Sequence, residues 1–188
     1  MKKKSSWYTP IIGISIGITL LIVGITLLEY TPQKVPPKPP PIVQPTKDLS
    51  KIIQIAQPKI DPAVAREVSK SVEKYSKEYG FPPELIIAII KQESSFRPMT
   101  VSKANCVGLM QINAKMHQEK LTKLSVKGTQ IFHIDNNVHL GCLILKEYYD
   151  ATGTVSGALK KYLGATNHGY LLAILSTYAD LTIKNNKD

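Results

Sequence analysis

An uninterrupted apolar stretch near the N-terminus constrains this chain more than any other feature. Residues 11–28 contain no charged side chain, and as a helix they span about 27 Å, close to the ~30 Å hydrocarbon core of a bilayer. Lysines at residues 2–4 precede the stretch, and Trp7 and Tyr30 flank it. Because basic residues mark the cytoplasmic side and aromatic residues the two interfaces, we predict a transmembrane helix at 11–28 that follows a basic cytoplasmic tail at 1–10.

A cleaved signal peptide is the alternative interpretation of the same stretch. The apolar run is longer than a typical signal-peptide core, and the sequence Leu-Glu-Tyr-Thr-Pro at residues 28–32 offers no small-x-small cleavage site. These features favour an uncleaved anchor. The spacing of Gly13 and Gly17 also fits a helix-packing motif, although ordinary membrane glycines are the simpler interpretation.

Residues 29–59 are predicted to be a proline-rich linker. Seven prolines between residues 31 and 45 exclude a helix there and favour extended polyproline geometry. At ~3.1 Å per residue, such a segment of some thirty residues reaches at most about 90 Å, enough to carry a domain from a membrane into a cell wall. Proline-rich segments also bind small recognition domains, but a spacer is the simpler function.

Composition and charge favour one folded domain after the linker. The 188 residues are 43 % hydrophobic, which suffices for a real core. The net charge is +10, of which residues 1–60 carry +6 and the remainder +4. No basic stripe with interleaved aromatic residues follows residue 60, so nucleic acid is not an expected partner. An anionic membrane face is a further general possibility for a basic chain, and cell-wall glycan fits the charge better.

The domain at residues 60–188 is predicted to be mainly helical. Asp61 is a helix start and Gly80 an end. A second helix opens at Pro83 and is apolar nearly all round from 85 to 90, which predicts a buried central helix. Further helices are expected near 135–149, 154–163 and 169–184, residues 122–134 fit a loop or a short ribbon, and no regular strand is predicted.

Glu93 is the candidate catalytic residue. It falls in the last turn of the predicted central helix, where the negative end of the helix dipole disfavours an ionised carboxylate. Desolvation by Ile89, Ile90 and Phe96 acts in the same direction, so we expect a raised pKa. A protonated carboxyl near neutral pH is what a glycosidic leaving oxygen requires. A glutamate at a helix end is more often simply exposed, so location alone does not establish this role.

A second carboxylate is not evident in the sequence around Glu93. Ordinary glycosidases use two, about 5–9.5 Å apart. The only other acid between Glu93 and Asp135 is Glu119, which we interpret as a solvated surface charge. Asp135 could fold back to the site, but its position before a helix favours an N-cap role.

Two motifs together resemble a known family. Glu-Ser-Ser-Phe at residues 93–96 and Gly-Leu-Met-Gln-Ile at 108–112, with the Glu and Gln eighteen positions apart, are similar to the catalytic core of the lytic transglycosylases, lysozyme-like enzymes that cleave bacterial peptidoglycan. The resemblance covers roughly residues 60–178 and implies a lysozyme-like helical domain. It also implies that one acid suffices. Glu93 would protonate the bond between N-acetylmuramic acid and N-acetylglucosamine and then deprotonate the muramic 6-hydroxyl, which closes a 1,6-anhydro ring.

The resemblance implies four substrate-binding residues. Ser102 matches a family serine that hydrogen-bonds near the acid, Met110 and Gln111 match groove residues beside the N-acetyl group, and Tyr162 matches a tyrosine that contacts the acid or the intermediate. Without the family context, Ser102 is equally a loop cap, Met110 a core residue and Gln111 a surface amide. Leu163 stands where the family usually has Asn, a departure that affects this wall of the groove.

The remaining motifs concern structure and metals. Asn-Val-x-x-Gly at residues 137–141 resembles a family helix expected to be structural. Cys106 and Cys142 are the only cysteines, and in an outward-facing domain a disulfide and two buried thiols are equally good interpretations. The four histidines lack metal-binding spacing, so no metal and no other cofactor is expected.

The sequence therefore predicts a single-pass membrane protein with a cytoplasmic N-terminus and an extracytoplasmic lytic transglycosylase domain. Its expected partners are peptidoglycan glycan strands and the membrane. A hydrolysing muramidase and an inactive peptidoglycan-binding module are the alternatives. The same arrangement fits a cell envelope, a larger envelope-spanning conjugation or secretion assembly, and a virion membrane.

Overall fold

A computed structural model describes residues 49–164 and 168–186, and this part of the chain is mainly helical, as predicted. Its elements are, in order, α1 (Leu49–Ala56), α2 (Pro62–Tyr79), α3 (Pro83–Ser94), β1 (Cys106–Val107), β2 (Ile112–Asn113), α4 (Gln118–Lys123), a 3₁₀-helix (Gly128–Phe132), α5 (Ile134–Thr152), α6 (Val155–Tyr162) and α7 (His168–Asn185). No helix among the described residues is both long and apolar enough to cross a membrane. The predicted tail at 1–10 and the predicted transmembrane helix at 11–28 lie outside those residues.

Helix α3 lies at the centre of the fold. Each side chain from Leu85 to Ile90 is at most 1 % exposed, because α1, α2 and α7 all pack against this helix. The prediction of a buried central helix is therefore confirmed. Ser95 ends α3 in the left-handed conformation, and its N–H donates to the Lys91 carbonyl over 3.1 Å.

Helix α7 runs antiparallel to α3 and is joined to it near both ends. Gln92, close to the C-terminus of α3, donates a side-chain hydrogen bond to Thr177 over 3.3 Å. Glu84, in the first turn of α3, accepts one from Asn185 over 2.6 Å. These two contacts fix the register of the pair, so that the middle of α7 lies beside the last turn of α3.

Helix α2 begins and ends where the sequence predicts. The Asp61 side chain accepts hydrogen bonds from the N–H groups of Ala63 (2.7 Å) and Val64 (3.2 Å), the usual way in which an N-cap satisfies free donors. Gly80, at φ +73°, ends the helix and donates its N–H to the Ser76 carbonyl.

A helix occupies part of the predicted linker. Leu49, Ile52 and Ile53 of α1 are at most 4 % exposed and belong to the same core as α3. Their spacing of three and four residues is a helical pattern, but it covers only two turns and follows a proline-rich segment that dominates the sequence signal. The predicted linker at 29–59 therefore does not extend through residues 49–56.

Residues 106–132 also differ from the prediction. The strands β1 and β2 form an antiparallel hairpin in which Cys106 pairs with Asn113 and Val107 with Ile112. Two residues per strand are too few for an alternating pattern to be recognised. Helix α4 and the 3₁₀-helix occupy most of residues 114–132. The sequence predicts a loop or a short ribbon for part of this stretch.

The buried side chain of Asn137 joins this hairpin to α5. Its Oδ1 accepts a hydrogen bond from the Met110 N–H (2.7 Å), and its Nδ2 donates to the carbonyls of Val107 (3.1 Å) and Ile131 (2.9 Å). A Cβ at Gly108, where φ is +80°, would lie 2.1 Å from Nδ2. The turn approaches Asn137 this closely because residue 108 has no side chain. The structural role expected of this motif is thereby confirmed.

Asp135 connects α5 with α2. Its carboxylate accepts hydrogen bonds from the hydroxyls of Ser71 (3.1 Å) and Tyr75 (2.7 Å). Helix α5 begins at Ile134, and the residue at its N-cap position is His133. The predicted N-cap role of Asp135 is therefore wrong, because the helix starts earlier and places Asp135 in its first turn. There the carboxylate still lies at the positive end of the helix dipole.

We expect Asn137→Ala to destabilise the domain by about 3 kcal/mol or more, because it removes the Asn137 partner of three backbone groups, two of them in buried bonds, at about 1–3 kcal/mol each. Denaturant unfolding of the full-length protein would measure this. Asn136→Ala is the matched control, because that half-buried side chain makes one hydrogen bond, to the Gln130 carbonyl, and its loss should cost about 1 kcal/mol. Equal losses for the two variants would contradict a special role of Asn137.

Candidate active site

Glu93 lies in the last turn of α3, at the edge of the core and half-buried. Immediately after it the chain turns sharply, because Ser95 and Phe96 both have positive φ angles, 51° and 62°. Consecutive left-handed conformations are unfavourable for residues with a Cβ, at about 1–2 kcal/mol each. Such strain persists where the surrounding structure imposes it, and it is concentrated at functional sites. The burial of the Phe96 ring, 3 % exposed, provides part of that constraint.

Burial raises the pKa of the Glu93 carboxyl to about 7. Desolvation is the main cause, since it penalises the charged form. The Tyr170 hydroxyl donates a hydrogen bond to this carboxyl, and that bond acts in the opposite direction because it stabilises the carboxylate. The predicted direction of the pKa shift is confirmed. At neutral pH the group is therefore divided between its acid and its carboxylate form.

Sequence reasoning did not identify Tyr170 as a site residue. The sequence places it seventy-seven positions after Glu93, and nothing in its local pattern distinguishes it from a tyrosine of the core. Tyr170 belongs to the first turn of α7, which the contacts from α7 to Gln92 and Glu84 hold along α3. Burial and the neighbouring Glu93 carboxylate raise the pKa of its hydroxyl, so Tyr170 is a neutral donor throughout the physiological range.

Ser102 organises the loop that leads into β1. Its hydroxyl accepts a hydrogen bond from the Cys106 N–H over 3.1 Å, and its own N–H donates to the Cys106 carbonyl over 2.9 Å. No hydrogen bond joins the side chains of Ser102 and Glu93 in the part of the chain that the structure describes. Ser102 therefore acts as the loop cap that the local sequence suggests, and its contact with a substrate stays a prediction.

Met110 is fully buried, and its thioether packs against Gly141, where an added Cβ would lie 2.2 Å from the sulfur. Its carbonyl accepts a hydrogen bond from the Tyr162 hydroxyl over 2.8 Å. Burial and the nearby Glu93 carboxyl both raise the pKa of Tyr162. Tyr162 thus lies within electrostatic range of Glu93, while Met110 packs in the core and holds the tyrosine through its backbone. A contact of Tyr162 with the acid or the intermediate stays a prediction, as does a contact of Met110 with a substrate.

Gln111 forms the bend between the two strands of the hairpin. Its backbone is left-handed, at φ +49°, and its side-chain amide donates to the carbonyls of Gly108 (2.9 Å) and Thr100 (3.3 Å). The Gln111 side-chain nitrogen therefore already has its hydrogen-bond partners within the loop and hairpin that surround it. A contact between Gln111 and a substrate N-acetyl group would involve its half-buried carbonyl end, and it remains a prediction.

The other acids considered in the sequence have partners away from Glu93. Asp135 contacts α2, as described above, and Glu119 is an exposed residue whose carboxylate pairs with Lys120 over 2.8 Å. No carboxylate is among the groups that shift the Glu93 pKa in residues 49–164 and 168–186. In the same residues, no group of three or more His, Cys, Asp or Glu side chains could hold a metal ion.

The two cysteines lie in different elements, Cys106 in β1 and Cys142 in α5. Both are free thiols in the structure, Cys106 half-buried and Cys142 fully buried. Burial raises the pKa of the Cys142 thiol well above its ordinary value. A disulfide and two free thiols stay the two open interpretations, which thiol titration of denatured, unreduced protein would distinguish.

Comparison with known proteins agrees with this geometry. The family model described as "Transglycosylase SLT domain" matches residues 70–179. The chain is 31 % identical over 110 residues to a transglycosylase of Enterobacteria phage PRD1, covering 58 % of this chain and 39 % of the relative. It is 30 % identical over 125 residues to the membrane-bound lytic murein transglycosylase C of Actinobacillus succinogenes, covering 62 % and 35 %. The chain thus spans well under half the length of these relatives.

The fold is also similar to a solved structure. An inactive mutant of the lytic transglycosylase Slt from Pseudomonas aeruginosa superimposes with a TM-score of 0.57 at 18 % identity, over 73 % of this chain and 30 % of the Slt chain. At that identity the likeness concerns the fold alone. Since the family model covers more than half of the residues, the resemblance noted in the sequence is confirmed. The chain belongs to the transglycosylase SLT domain family.

Proposed function

We propose that this protein is a peptidoglycan lytic transglycosylase that cleaves the bond between N-acetylmuramic acid and N-acetylglucosamine. The observation that carries the proposal is the half-buried Glu93, whose carboxyl has a pKa raised to about 7 and a hydrogen bond from Tyr170. A single group that is readily protonated and readily ionised at neutral pH suits both halves of such a reaction. Family membership supports the same conclusion.

In the first step, Glu93 donates its proton to the glycosidic oxygen while the bond from that oxygen to muramic C1 breaks. The N-acetylglucosamine side leaves with a new hydroxyl, and positive charge develops at C1. The resulting Glu93 carboxylate then takes the proton of the muramic 6-hydroxyl as that oxygen bonds to C1. The product is a 1,6-anhydro ring, Glu93 regains its proton, and no water is consumed.

Tyr170 supports the ionised half of this cycle. Its hydroxyl donates to the carboxylate that forms after the first proton transfer, which lowers the cost of charge in a desolvated position. Without that donor, burial would hold the proton on Glu93 more tightly and would hinder the first transfer, in which Glu93 gives that proton up. We infer that Tyr170 keeps the pKa low enough for Glu93 to serve as acid and then as base.

Ring closure is favoured over hydrolysis because Glu93 has no carboxylate partner among the residues that the structure describes. A two-acid hydrolase needs a second carboxylate within about 5–9.5 Å of the first, and Asp135 and Glu119 are both engaged elsewhere. The muramic 6-hydroxyl can replace such a group because it belongs to the same sugar as C1. A hydrolysing muramidase remains the alternative that product analysis distinguishes.

An active enzyme is also favoured over an idle binding module. The departure from the family motif at Leu163 does not displace Tyr162, since its hydroxyl contacts the Met110 carbonyl and Leu163 packs against the core. Ser102, Gln111 and Tyr162 are the residues that we propose as the wall of the glycan groove.

The proposed setting is the outer side of a membrane. The apolar residues 11–28 would anchor the chain with its N-terminus in the cytoplasm, and the proline-rich segment would carry the domain at 60–188, together with α1, toward the wall. Relatives named membrane-bound lytic murein transglycosylase C support an envelope location. An envelope-spanning assembly or a virion membrane would place the enzyme equally well against its substrate.

Glu93→Gln should reduce cleavage of purified sacculi by about a hundredfold or more, the scale of general acid catalysis. Mass analysis of fragments released by the full-length protein should show anhydro-muramic ends for the wild type. Glu67→Gln, which neutralises an exposed glutamate on α2, is the matched control and should cut normally. Reducing muramic ends in the wild-type digest would reject ring closure, and full activity of Glu93→Gln would reject Glu93 as the acid.

The Glu93→Gln variant should also be at least as stable as the wild type above pH 7. The carboxyl has a pKa of about 7 when folded and 4.5 as its ordinary value, so its neutral form is favoured in the fold and stability is lost as pH rises from about 4.5 to about 7. The loss amounts to about 3 kcal/mol at most. Thermal unfolding at pH 5 and pH 8 would measure it, and a variant that is less stable at pH 8 would contradict the burial argument.

Tyr170→Phe should move the alkaline limb of the activity profile to higher pH. The hydrogen bond from Tyr170 lowers the pKa of Glu93, so its removal raises that pKa and extends the range in which the acid is protonated. Values of kcat/KM against pH on soluble glycan strands would measure the shift. Tyr178→Phe, on the same helix, is the matched control and should leave the limb in place. A shift to lower pH in Tyr170→Phe would overturn the assigned role.

A further inference from the structure

The hydrogen bond between Tyr170 and Glu93 depends on how α7 lies along α3. Glu93 belongs to the last turn of α3 and Tyr170 to the first turn of α7, and the hydroxyl of one donates to the carboxyl of the other. Such a bond requires its two oxygen atoms to lie within about 3 Å. A slide of one helix by a single residue moves its side chains by about 1.5 Å, so the bond is sensitive to the register of the pair.

Two hydrogen bonds between α3 and α7 fix that register. One joins Gln92 to Thr177 over 3.3 Å, and the other joins Asn185 to Glu84 over 2.6 Å. The two bonding residues of α3 are eight positions apart, and so are the two bonding residues of the antiparallel α7. Each helix therefore rises by about 12 Å between the two bonds. Both bonds form together only when the helices have this register.

Apolar packing holds α7 in the fold but defines its register less sharply. Leu171, Ile174 and Leu181 are at most 7 % exposed and belong to the core. The burial of apolar surface is non-directional and roughly proportional to the area removed from water. A hydrogen bond, in contrast, weakens steeply as its geometry departs from the ideal. The polar contacts are therefore the part of this interface that selects one alignment of the two helices.

The bond between Gln92 and Thr177 is the one nearer to the acid. Gln92 directly precedes Glu93, whereas Glu84 lies nine positions before it. On α7, Thr177 and Tyr170 are seven positions apart, nearly two full turns, so both lie on the same face of the helix. About 10 Å along the axis separates them. A change at Gln92 or Thr177 is therefore transmitted to Tyr170 along one face of one helix.

The surroundings of this bond strengthen the constraint. Both side chains are half-buried, so water replaces a missing partner only in part and the loss of either one is unfavourable. The Gln92 amide nitrogen donates to Thr177 and is thus engaged by α7. A role in holding that helix fits this geometry better than a role in binding glycan.

We propose that Gln92 and Thr177 are positioning residues, whose hydrogen bond holds α7 in the register at which Tyr170 donates to Glu93. Both residues act through Tyr170 and not on the reacting atoms. The inference rests on the proposed function, since it takes Glu93 to be the catalytic acid.

The first measurement follows the pKa of Glu93 in the full-length protein without substrate. Carboxyl ¹³C NMR over a series of pH values reports it, and the Glu93→Gln spectrum identifies the resonance by its loss. Gln92→Met keeps nearly the same side-chain volume but has no amide, so α7 loses this contact and Tyr170 donates less well. The pKa of Glu93 should then rise, by part of the rise that Tyr170→Phe causes. An unchanged pKa in Gln92→Met overturns the proposal.

A double variant distinguishes positioning from direct influence. If Gln92 acts through Tyr170, Gln92→Met should add nothing once the tyrosine hydroxyl is gone. The pKa of Glu93 in Gln92→Met with Tyr170→Phe should then equal that in Tyr170→Phe alone. The alkaline limb of kcat/KM on soluble glycan strands should follow the same pattern, with KM unchanged. Additive shifts overturn the proposal, and so does a raised KM with the limb in place, since Gln92 would then bind the glycan.

Thr177 allows the same test from the opposite helix. Thr177→Val removes the hydroxyl at nearly constant volume and should raise the pKa of Glu93 as Gln92→Met does, whereas Thr177→Ser keeps a hydroxyl and should restore the wild-type value. Thr182→Val is the matched control, because the Thr182 hydroxyl donates to the Tyr178 carbonyl of its own helix over 2.8 Å. It should leave the pKa of Glu93 in place. Equal shifts in Thr177→Val and Thr182→Val, or in Thr177→Val and Thr177→Ser, would contradict the assigned role.

The two readouts separate failure of the positioning role from failure of the proposed function. If the wild type releases anhydro-muramic ends and the pKa of Glu93 is the same in the Gln92 and Thr177 variants, the positioning role is rejected and the enzyme stands. If the wild type cuts no glycan, the proposed function fails. The NMR series then decides by itself whether Gln92 and Thr177 hold Tyr170 against Glu93.

Discussion

The burial of α3 on all sides is the constraint on which the rest of the structure depends. A helix whose side chains from Leu85 to Ile90 are excluded from water must be covered by neighbours, and α1, α2 and α7 provide that cover. The cover ends where the polar residues begin. Glu93 therefore lies at the boundary between core and solvent, where desolvation raises its pKa without removing it from reach of a ligand.

The hairpin is joined to α5 and α6 by polar groups in an apolar setting. Asn137 satisfies three backbone groups of the hairpin and the loop before α5, and Tyr162 adds a fourth contact through the Met110 carbonyl. Such buried networks are strong when complete and costly when broken. They allow a hairpin with only two residues in each strand to keep a fixed position, and they hold the Tyr162 hydroxyl against the backbone of Met110.

The gaps in the sequence interpretation have physical causes. The sequence does not indicate the hydrogen bond from Tyr170 to Glu93, because that bond depends on the packing of α7 against α3. Contacts such as the one between Gln92 and Thr177 hold the two helices together. The sequence indicates a helix cap at Asp135 because a carboxylate before a helix usually is one. Its actual partners, the hydroxyls of Ser71 and Tyr75, are sixty or more residues away along the chain. Helix α1 could not be predicted because two helical turns give only a weak periodic pattern of apolar residues.

The sequence by itself determined the helical class of the domain, the buried central helix and the position of one acid at its end. These follow from local rules, since hydrophobic periodicity, caps and the run of apolar residues before Glu93 act over a few positions. Tertiary structure alone decided which groups surround that acid. The Tyr170 donor, the absence of Asp135 from the site and the hydrogen bond between Gln92 and Thr177 each depend on side chains from distant segments, which only packing brings together.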